Sequence, residues 1–352
     1  MQVGVVLAIK TLDGRFEPLE EVYDTFLAEA VLAEELGFDF VSTSEHHFED
    51  DAWSPSQLPI LANIAARTSR VRLHTNIFLL PLHDPLRVSE DAATVDILSK
   101  GRLDLTCGTG SVQEEFIPFG VDPAKRWGRF WEAIEIVRRS YAEDSFTFEG
   151  KHFSIPDPIR QTTKPVQDPF PLWVGGFGPK LQYRAGQEGY HSQSGANFHP
   201  EYLRGLKEAG IDPETRNHAC FSAGHLAGSV EEAWAECREA WWNRQWEYRK
   251  RTWIAHPSAP ELPPLQEFEK MDRPPTDDAL MPPVVGTPED ILNQLQPLYE
   301  KCDTTHYGFF FRACGGGMPA AQVRTAMEMF AKEVLPVLKT WGREPTTSRA
   351  AD

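Results

Sequence analysis

The chain has 352 residues, 41% of them hydrophobic, and carries 52 acidic against 35 basic side chains for a formal charge of −17. That length and apolar fraction are enough for one large α/β domain or two ordinary ones, and they exclude disorder as the default. The acidic balance repels nucleic acid and anionic lipid, no apolar run approaches the roughly 20 residues of a membrane span, and no signal-peptide pattern is present, so the expectation is a cytoplasmic protein without nucleic-acid or membrane partners.

Residues 3–9 form a continuous apolar run of strand length, and residues 18–36 place Leu19, Val22, Tyr23, Phe26, Leu27, Ala30, Val31 and Ala33 at helical spacing. Gly37 caps that helix, and residues 38–41 start a second strand that ends at Ser44-Glu45-His46-His47-Phe48. A helix over 56–68, a strand over 71–80, a helix over 85–98 and a strand over 103–107 continue the alternation with short linkers. After a helix over 127–141, the proline-rich stretch 146–169 reads as an excursion containing a small hairpin. Strands at 172–174, 189–193, 217–226 and 305–311, with helices at 179–187, 230–248, 288–302 and 320–338, complete about eight of each.

Apolar strands alternating with helices predict a parallel sheet covered on its faces, and the count predicts an α/β fold of the (β/α)8 TIM-barrel type. The alternative, an open doubly wound sheet, requires a glycine turn directly after the first strand, and none stands near Ile9. One domain over 1–340 is expected, with insertions at about 146–170 and 249–284 on the carboxyl-terminal face and a polar tail at 341–352. The second insertion is dense in proline, and the helix before it carries Trp234, Trp241, Trp242 and Trp246, with Trp253 just beyond. Ordinary packing of an amphipathic helix is the first reading of these tryptophans, and an apolar lid over a pocket is the second.

In a barrel the strand carboxyl ends converge on one face, which brings His46 and His47, Asn76, Cys107 and Gly175-Gly176 into one candidate site. Gly175-Gly176-Phe177-Gly178-Pro179-Lys180 runs into a helix, so its backbone amides suit a phosphate. Cys107, Cys220, Cys237, Cys302 and Cys314 are odd in number and contain no CxxC pair, so neither a disulfide framework nor a zinc site is indicated and no metal is expected. No GxSxG nucleophile elbow occurs.

Several of these segments together resemble the bacterial luciferase-like flavin monooxygenases, the luciferase α chain in particular. The likeness runs through Glu45-His46-His47-Phe48, Ser99-Lys100-Gly101-Arg102, Phe119-Gly120 before an arginine-bearing helix, Pro171 to Gly176, and Val285-Gly286-Thr287-Pro288-Glu289-Asp290. The resemblance implies a barrel that binds reduced flavin mononucleotide (FMN) delivered by a separate NAD(P)H:flavin reductase, and that uses dioxygen to oxidise a small organic substrate. It implies a homodimer as well. By the same likeness His46 is the active-site histidine and Cys107 the cysteine beside the flavin ring. Asn76-Ile77 takes the position of a non-proline cis peptide under the ring. Gly108, Gly175, Gly176, Phe177 and Gly178 are further cofactor contacts.

Phe177 and Gly178 stand where luciferase has an acidic residue and a serine, and Gly108 where it has an arginine. Phosphate holding therefore falls to backbone amides and to Arg126 or Arg129. Phe48, Trp53 and Trp253 are the residues expected to meet the substrate. Two alternatives remain open on this sequence: hydride transfer with a deazaflavin on the same barrel, and a non-catalytic flavin-binding protein.

Overall fold

The computed structural model describes residues 1–12, 18–250, 264–275, 282–312 and 315–346. β1 (Gln2–Leu7), β2 (Phe40–Thr43), β3 (Arg72–Thr75) and β4 (Leu103–Cys107) alternate with α1 (Leu19–Glu35), α2 (Gln57–Arg67) and α3 (Pro85–Ser99). α4 (Arg126–Ala142) leads into an antiparallel hairpin of β5 (Phe146–Glu149) and β6 (Ser154–Ile159), so the first insertion is a hairpin on the outside of the ring. β7 (Leu172–Gly175), α5 (Pro179–Gln187), β8 (His191–Gln193), α6 (His199–Glu208) and β9 (His218–Leu226) resume the alternation. Then come α7 (Val230–Lys250), a short α8 (Leu265–Phe268), β10 (Val284–Gly286), α9 (Pro288–Tyr299), β11 (His306–Phe310) and α10 (Ala320–Met329), which continues through a π turn into α11 (Leu335–Leu338).

β1, β2, β3, β4, β7, β8, β9 and β11 pair in parallel all the way round, with β8 on β9 and β11 on β1 closing an eight-stranded barrel. β10 adds to the far end of β9 outside the ring. Alternate side chains divide between two cores. Val3, Val41, Leu73, Leu105, Val174 and Tyr307 face outward and pack with the apolar stripes of the helices. The inward set is aromatic and polar: the Phe40 and His74 rings lie 4.6 Å apart, His74 and His306 5.5 Å, and Trp173 and His306 5.0 Å. A β-carbon at Gly4 would overlap the Phe40 ring, and one at Gly308 the Phe221 ring, so these two glycines make room for the interior aromatics.

Asp104 anchors the interior, accepting from Arg72 Nε at 2.5 Å and from Trp173 Nε1 at 3.2 Å, with His74 Nε2 at 2.9 Å. Burial alone would raise this carboxyl, but Arg72 and His74 outweigh burial and hold it well below the usual carboxylate range.

Three details depart from the sequence reading. The third strand ends at Thr75 and does not run to residue 80, because the chain turns there and its amides find partners elsewhere. Asn76 N donates to Thr43 O, Phe78 N to Thr106 O and Leu79 N to the Glu45 carboxylate. Helix α6 and strand β10 were not anticipated. The tryptophans also divide: Trp234 and Trp241 are fully buried against Phe268 as core, whereas Trp242 and Trp246 stack at 5.3 Å with Trp246 exposed. Trp253, Cys314 and most of the second insertion lie outside the described residues. Among the described residues, no helix is long and apolar enough to cross a membrane.

Candidate active site

The carboxyl ends of the strands meet at one mouth. Directly after β3 the Asn76–Ile77 peptide is cis. The Ile77 side chain fills the space beside Gly108 and Gly175: a β-carbon at Gly108 would sit 2.6 Å from Ile77 Cγ2, and one at Gly175 2.9 Å from Ile77 Cδ1. Asn76 Oδ1 accepts from Gln193 Nε2 across the mouth, and Asn76 N also donates to Gln57 Oε1 at 3.1 Å. The sequence-predicted Asn76, Ile77, Gly108 and Gly175 are thus brought together, joined by Gln193 and Gln57, which spacing could not have pointed to.

The glycine loop differs in part from the expected phosphate cradle. The Gly176 amide is committed to Gln193 O at 3.0 Å, inside the sheet, and Pro179 has no N–H. Phe177, Gly178, Lys180 and Leu181 are left as the candidate amide donors at the start of α5. Gly176 has φ +140° and a β-carbon there would lie 2.8 Å from Leu181 Cδ2, whereas Gly178 is extended and a β-carbon there would meet nothing within 4 Å. Arg126 and Arg129 both sit in the first turn of α4. Arg126 donates to Pro123 O at 2.9 Å, and Arg129 Nε donates to Pro81 O at 3.1 Å with its guanidinium over Phe153.

The two histidines after β2 have different surroundings. His46 Nδ1 donates to Glu115 Oε1 at 2.7 Å, which leaves Nε2 as the proton acceptor of the neutral ring. Its ring centroid lies 4.4 Å from that of Trp53 and 6.0 Å from that of Tyr248. These three residues, with Glu49, Val112 and Glu247, line a narrow cleft. Trp53 is fixed from three sides: its indole N–H donates to Ser44 Oγ at 2.8 Å, its backbone amide to Asp51, and the Lys10 ammonium stands 4.2 Å over the ring. Lys10 in turn pairs with Asp51 at 2.9 Å, both buried.

His47 faces away from this cleft and donates from Nε2 to Glu45 Oε1 at 2.9 Å. Glu45 also receives His83 Nε2 at 3.1 Å, Gln57 Nε2 at 3.1 Å and the Leu79 amide at 3.3 Å. Burial would raise the Glu45 carboxyl, yet hydrogen bonds from His47 and His83 hold it at about 2. Phe48 has φ 60°, is 68% exposed and leans on Phe119 at 5.6 Å, so it stands on the rim and does not line the cleft. Cys107 is completely buried in the outward core, outside the residues that line the cleft, and burial, with the Glu45 charge, pushes its thiol pKa up. A thiol held this way is neutral and acts through packing.

Sequence reasoning missed Glu115, Lys10, Asp51, Gln57, His83 and Gln193. Glu114-Glu115 follows the fourth strand in the same kind of loop as the histidine doublet, and that placement was the available signal.

A sequence model of the luciferase-like monooxygenase family matches residues 1–305. The chain belongs to this family. Among curated relatives, the F420-dependent glucose-6-phosphate dehydrogenase of Microbacterium testaceum is 34% identical over 205 residues, 55% of this chain and 58% of the relative. The oxygenase component of the flavin-dependent trigonelline monooxygenase of Acinetobacter baylyi is 28% identical over 178 residues, 49% of each chain. The chain spans about half the length of the first curated relatives it matches. The solved structure of monooxygenase RslO1 from Streptomyces bottropensis aligns over 96% of this chain and 100% of its own, with TM-score 0.80 at 24% identity, a likeness of fold.

A luciferase-like oxidoreductase needs a place for a flat, polar heterocycle, and the mouth has the chemistry for one. Ser42 Oγ, Thr106 Oγ1 and Gln193 Oε1 are buried there on the ends of β2, β4 and β8 without hydrogen-bond partners among the described residues. Buried polar atoms of this kind are costly unless something pairs with them. A ring edged with N–H and carbonyl groups would do so.

Proposed function

We propose that this chain is the oxygenating component of a two-component system, taking reduced FMN from a separate reductase and using dioxygen to oxidise a small, partly apolar organic molecule. The observation that carries this reading is the His46–Glu115 pair, an imidazole with one nitrogen tied to a carboxylate and the other a proton acceptor, at a cleft walled by Trp53 and Tyr248. The relationship to a flavin-dependent oxygenase component supports it as well.

When bound, reduced FMN would supply the electron pair that makes dioxygen reactive. The chain's own residues do the rest. Asn76, Ile77, Gln193 and the glycines at 108 and 175 would hold the ring across the mouth, and the amides that open α5 would hold its phosphate. Glu115 fixes the His46 tautomer, so that Nε2 can take a proton from the reacting group and return it. Trp53 and Tyr248 limit the access of water to that nitrogen.

A second reading, hydride transfer with a deazaflavin, is favoured by the 34% identity to an F420-dependent dehydrogenase. In that reading His46 would take the proton from a substrate hydroxyl as hydride leaves. Parallel anaerobic titrations with photoreduced FMN and with a reduced deazaflavin separate the two. Reduced FMN should bind saturably, and a Gln193→Leu substitution should weaken it. Saturable binding of the deazaflavin alone would establish the second reading.

A further inference from the structure

We propose that His218, Cys220 and Cys302 form a binding site for a thiophilic d10 cation, Zn2+ first among them, at the amino-terminal ends of β9 and β11. The site is separate from the mouth that carries His46. His218 and Cys220 alternate with the inward-facing Ala219 on β9 and therefore point to the outer side of the barrel. There His218 lies beneath His199 and Tyr202 of α6, and Cys302 arrives from the turn that links α9 to β11.

The distances fit a metal polyhedron. Cys220 Sγ lies 3.5 Å from Cys302 Sγ and 3.8 Å from His218 Nδ1, and one donor atom from each of the three residues falls within 4.8 Å of the others. Tetrahedral zinc with bonds of about 2.3 Å to sulfur and about 2.0 to 2.1 Å to nitrogen places its ligand atoms about 3.6 to 3.8 Å apart. The other ring nitrogen, His218 Nε2, is 3.2 Å from the Ser194 hydroxyl. That contact is the partner a metal-bound imidazole usually has, because it fixes the tautomer that leaves Nδ1 as the donor.

A second observation points the same way. His199 is 4% exposed, its ring centroid lies 4.1 Å from that of His218, and both its nitrogens are buried without a hydrogen bond among the described residues. Three protein donors leave the cation's fourth position to water, and such a water would donate to His199 and relieve that cost. The partly exposed Cys220 gives solvent a route in. Two thiolates and an imidazole select soft or borderline d10 ions over magnesium or calcium.

The test uses the whole chain, reduced and stripped with a chelator, titrated anaerobically with Co2+ as a spectroscopic probe and with Zn2+ against a chromogenic chelator. We expect one Zn2+ per chain and a thiolate-to-cobalt charge-transfer band. Cys220→Ser and Cys302→Ser should each weaken Zn2+ by more than about 100-fold, and Ser194→Ala by about 10-fold, as expected for a residue that only orients a ligand. Circular dichroism checks that the variants fold, and if they do not, the wild-type cobalt spectrum decides alone. Co2+ binding without a charge-transfer band overturns the proposal. So does Zn2+ that binds the cysteine variants as tightly as wild type, which would move the metal to His46, Glu49 and Glu115 or to Glu45, His47 and His83. None of these readings depends on turnover or on flavin.

Discussion

Two neighbouring imidazoles with the same covalent chemistry do different work here because different carboxylates hold them. His46 gives one N–H to Glu115 and keeps a basic nitrogen at the cleft, while His47 is spent on Glu45. His46→Ala should therefore cost about 10²- to 10⁴-fold in turnover per folded molecule at saturating reduced cofactor, and because it takes a donor from the buried Glu115 it should also lower stability by about 1 to 3 kcal/mol. His47→Ala should lower stability by a similar amount, leaving the buried Glu45 one donor short, but with little change in turnover per folded molecule. Chemical denaturation and steady-state kinetics on the two variants read both effects.

Acid should destabilise the fold in two windows. Glu45 is held at about 2 in the folded chain, so its contribution is complete above the ordinary glutamate range and is lost as pH falls from there towards 2. His191 is pushed down to about 4 by burial, against the pull of Asp104, and accepts the Asn217 amide on Nδ1. The unfolded chain binds that proton more readily, so stability is full above about 6.5 and falls as pH drops from there to 4. His191→Gln should reduce the slope of the upper window, to which His199 and His306 also contribute, and Glu45→Gln that of the lower one, to which Asp104 also contributes, measured as unfolding free energy against pH.

At the scale of elements, the strands were the most legible part of the chain. All eight barrel strands overlap strands expected from the sequence, most of them because a parallel sheet buried on both faces favours apolar runs, although β8, His191-Ser192-Gln193, carries none. The exceptions have local causes. The stretch 71–80 reads as one strand, but only Arg72–Thr75 pairs as a strand, and the apolar residues from Ile77 on serve the mouth. Helix α6 begins His199-Pro200 and contains Gly205, which reads as a loop, yet proline is tolerated in a first turn. A β-carbon at Gly205 would strike the Tyr183 carbonyl, so the glycine permits close packing of α5 on α6. The histidine doublet and the glycine loop were legible as a site. Their partners were not, because Glu115 is 69 residues from His46 and Gln193 is 117 from Asn76.

The two loop glycines should respond differently to substitution. Gly176→Ala meets both a positive φ and Leu181, and is expected to cost about 1 to 3 kcal/mol. Gly178→Ala has extended backbone and open space around it and should leave stability unchanged. Any loss of reduced-flavin affinity in Gly178→Ala would then report directly on the cofactor.

For the whole molecule, the barrel is held shut by contacts that join its ends. Arg312, just past β11, donates from both terminal nitrogens to the two oxygens of Glu29 on α1 at 2.5 Å each, and its guanidinium covers the Phe26 ring. Both partners are buried, so Arg312→Ala would strand a carboxylate and should cost about 3 to 5 kcal/mol, read as a lowered denaturant midpoint. The same closure sets the mouth, since residues from β2, β3, β4, β7 and β8 converge only when β11 pairs with β1. On the proposed function, this mouth and the His46 cleft beside it act as one oxygen-activating site. This is tested most directly by mixing the chain with photoreduced FMN, adding air in a stopped-flow instrument, and following flavin reoxidation and hydrogen peroxide release. Wild-type kinetics should be distinct from those of free FMN, and the His46→Ala variant should bind flavin equally but release peroxide at a different rate. A wild-type trace that superimposes on that of free FMN at saturating protein would contradict it.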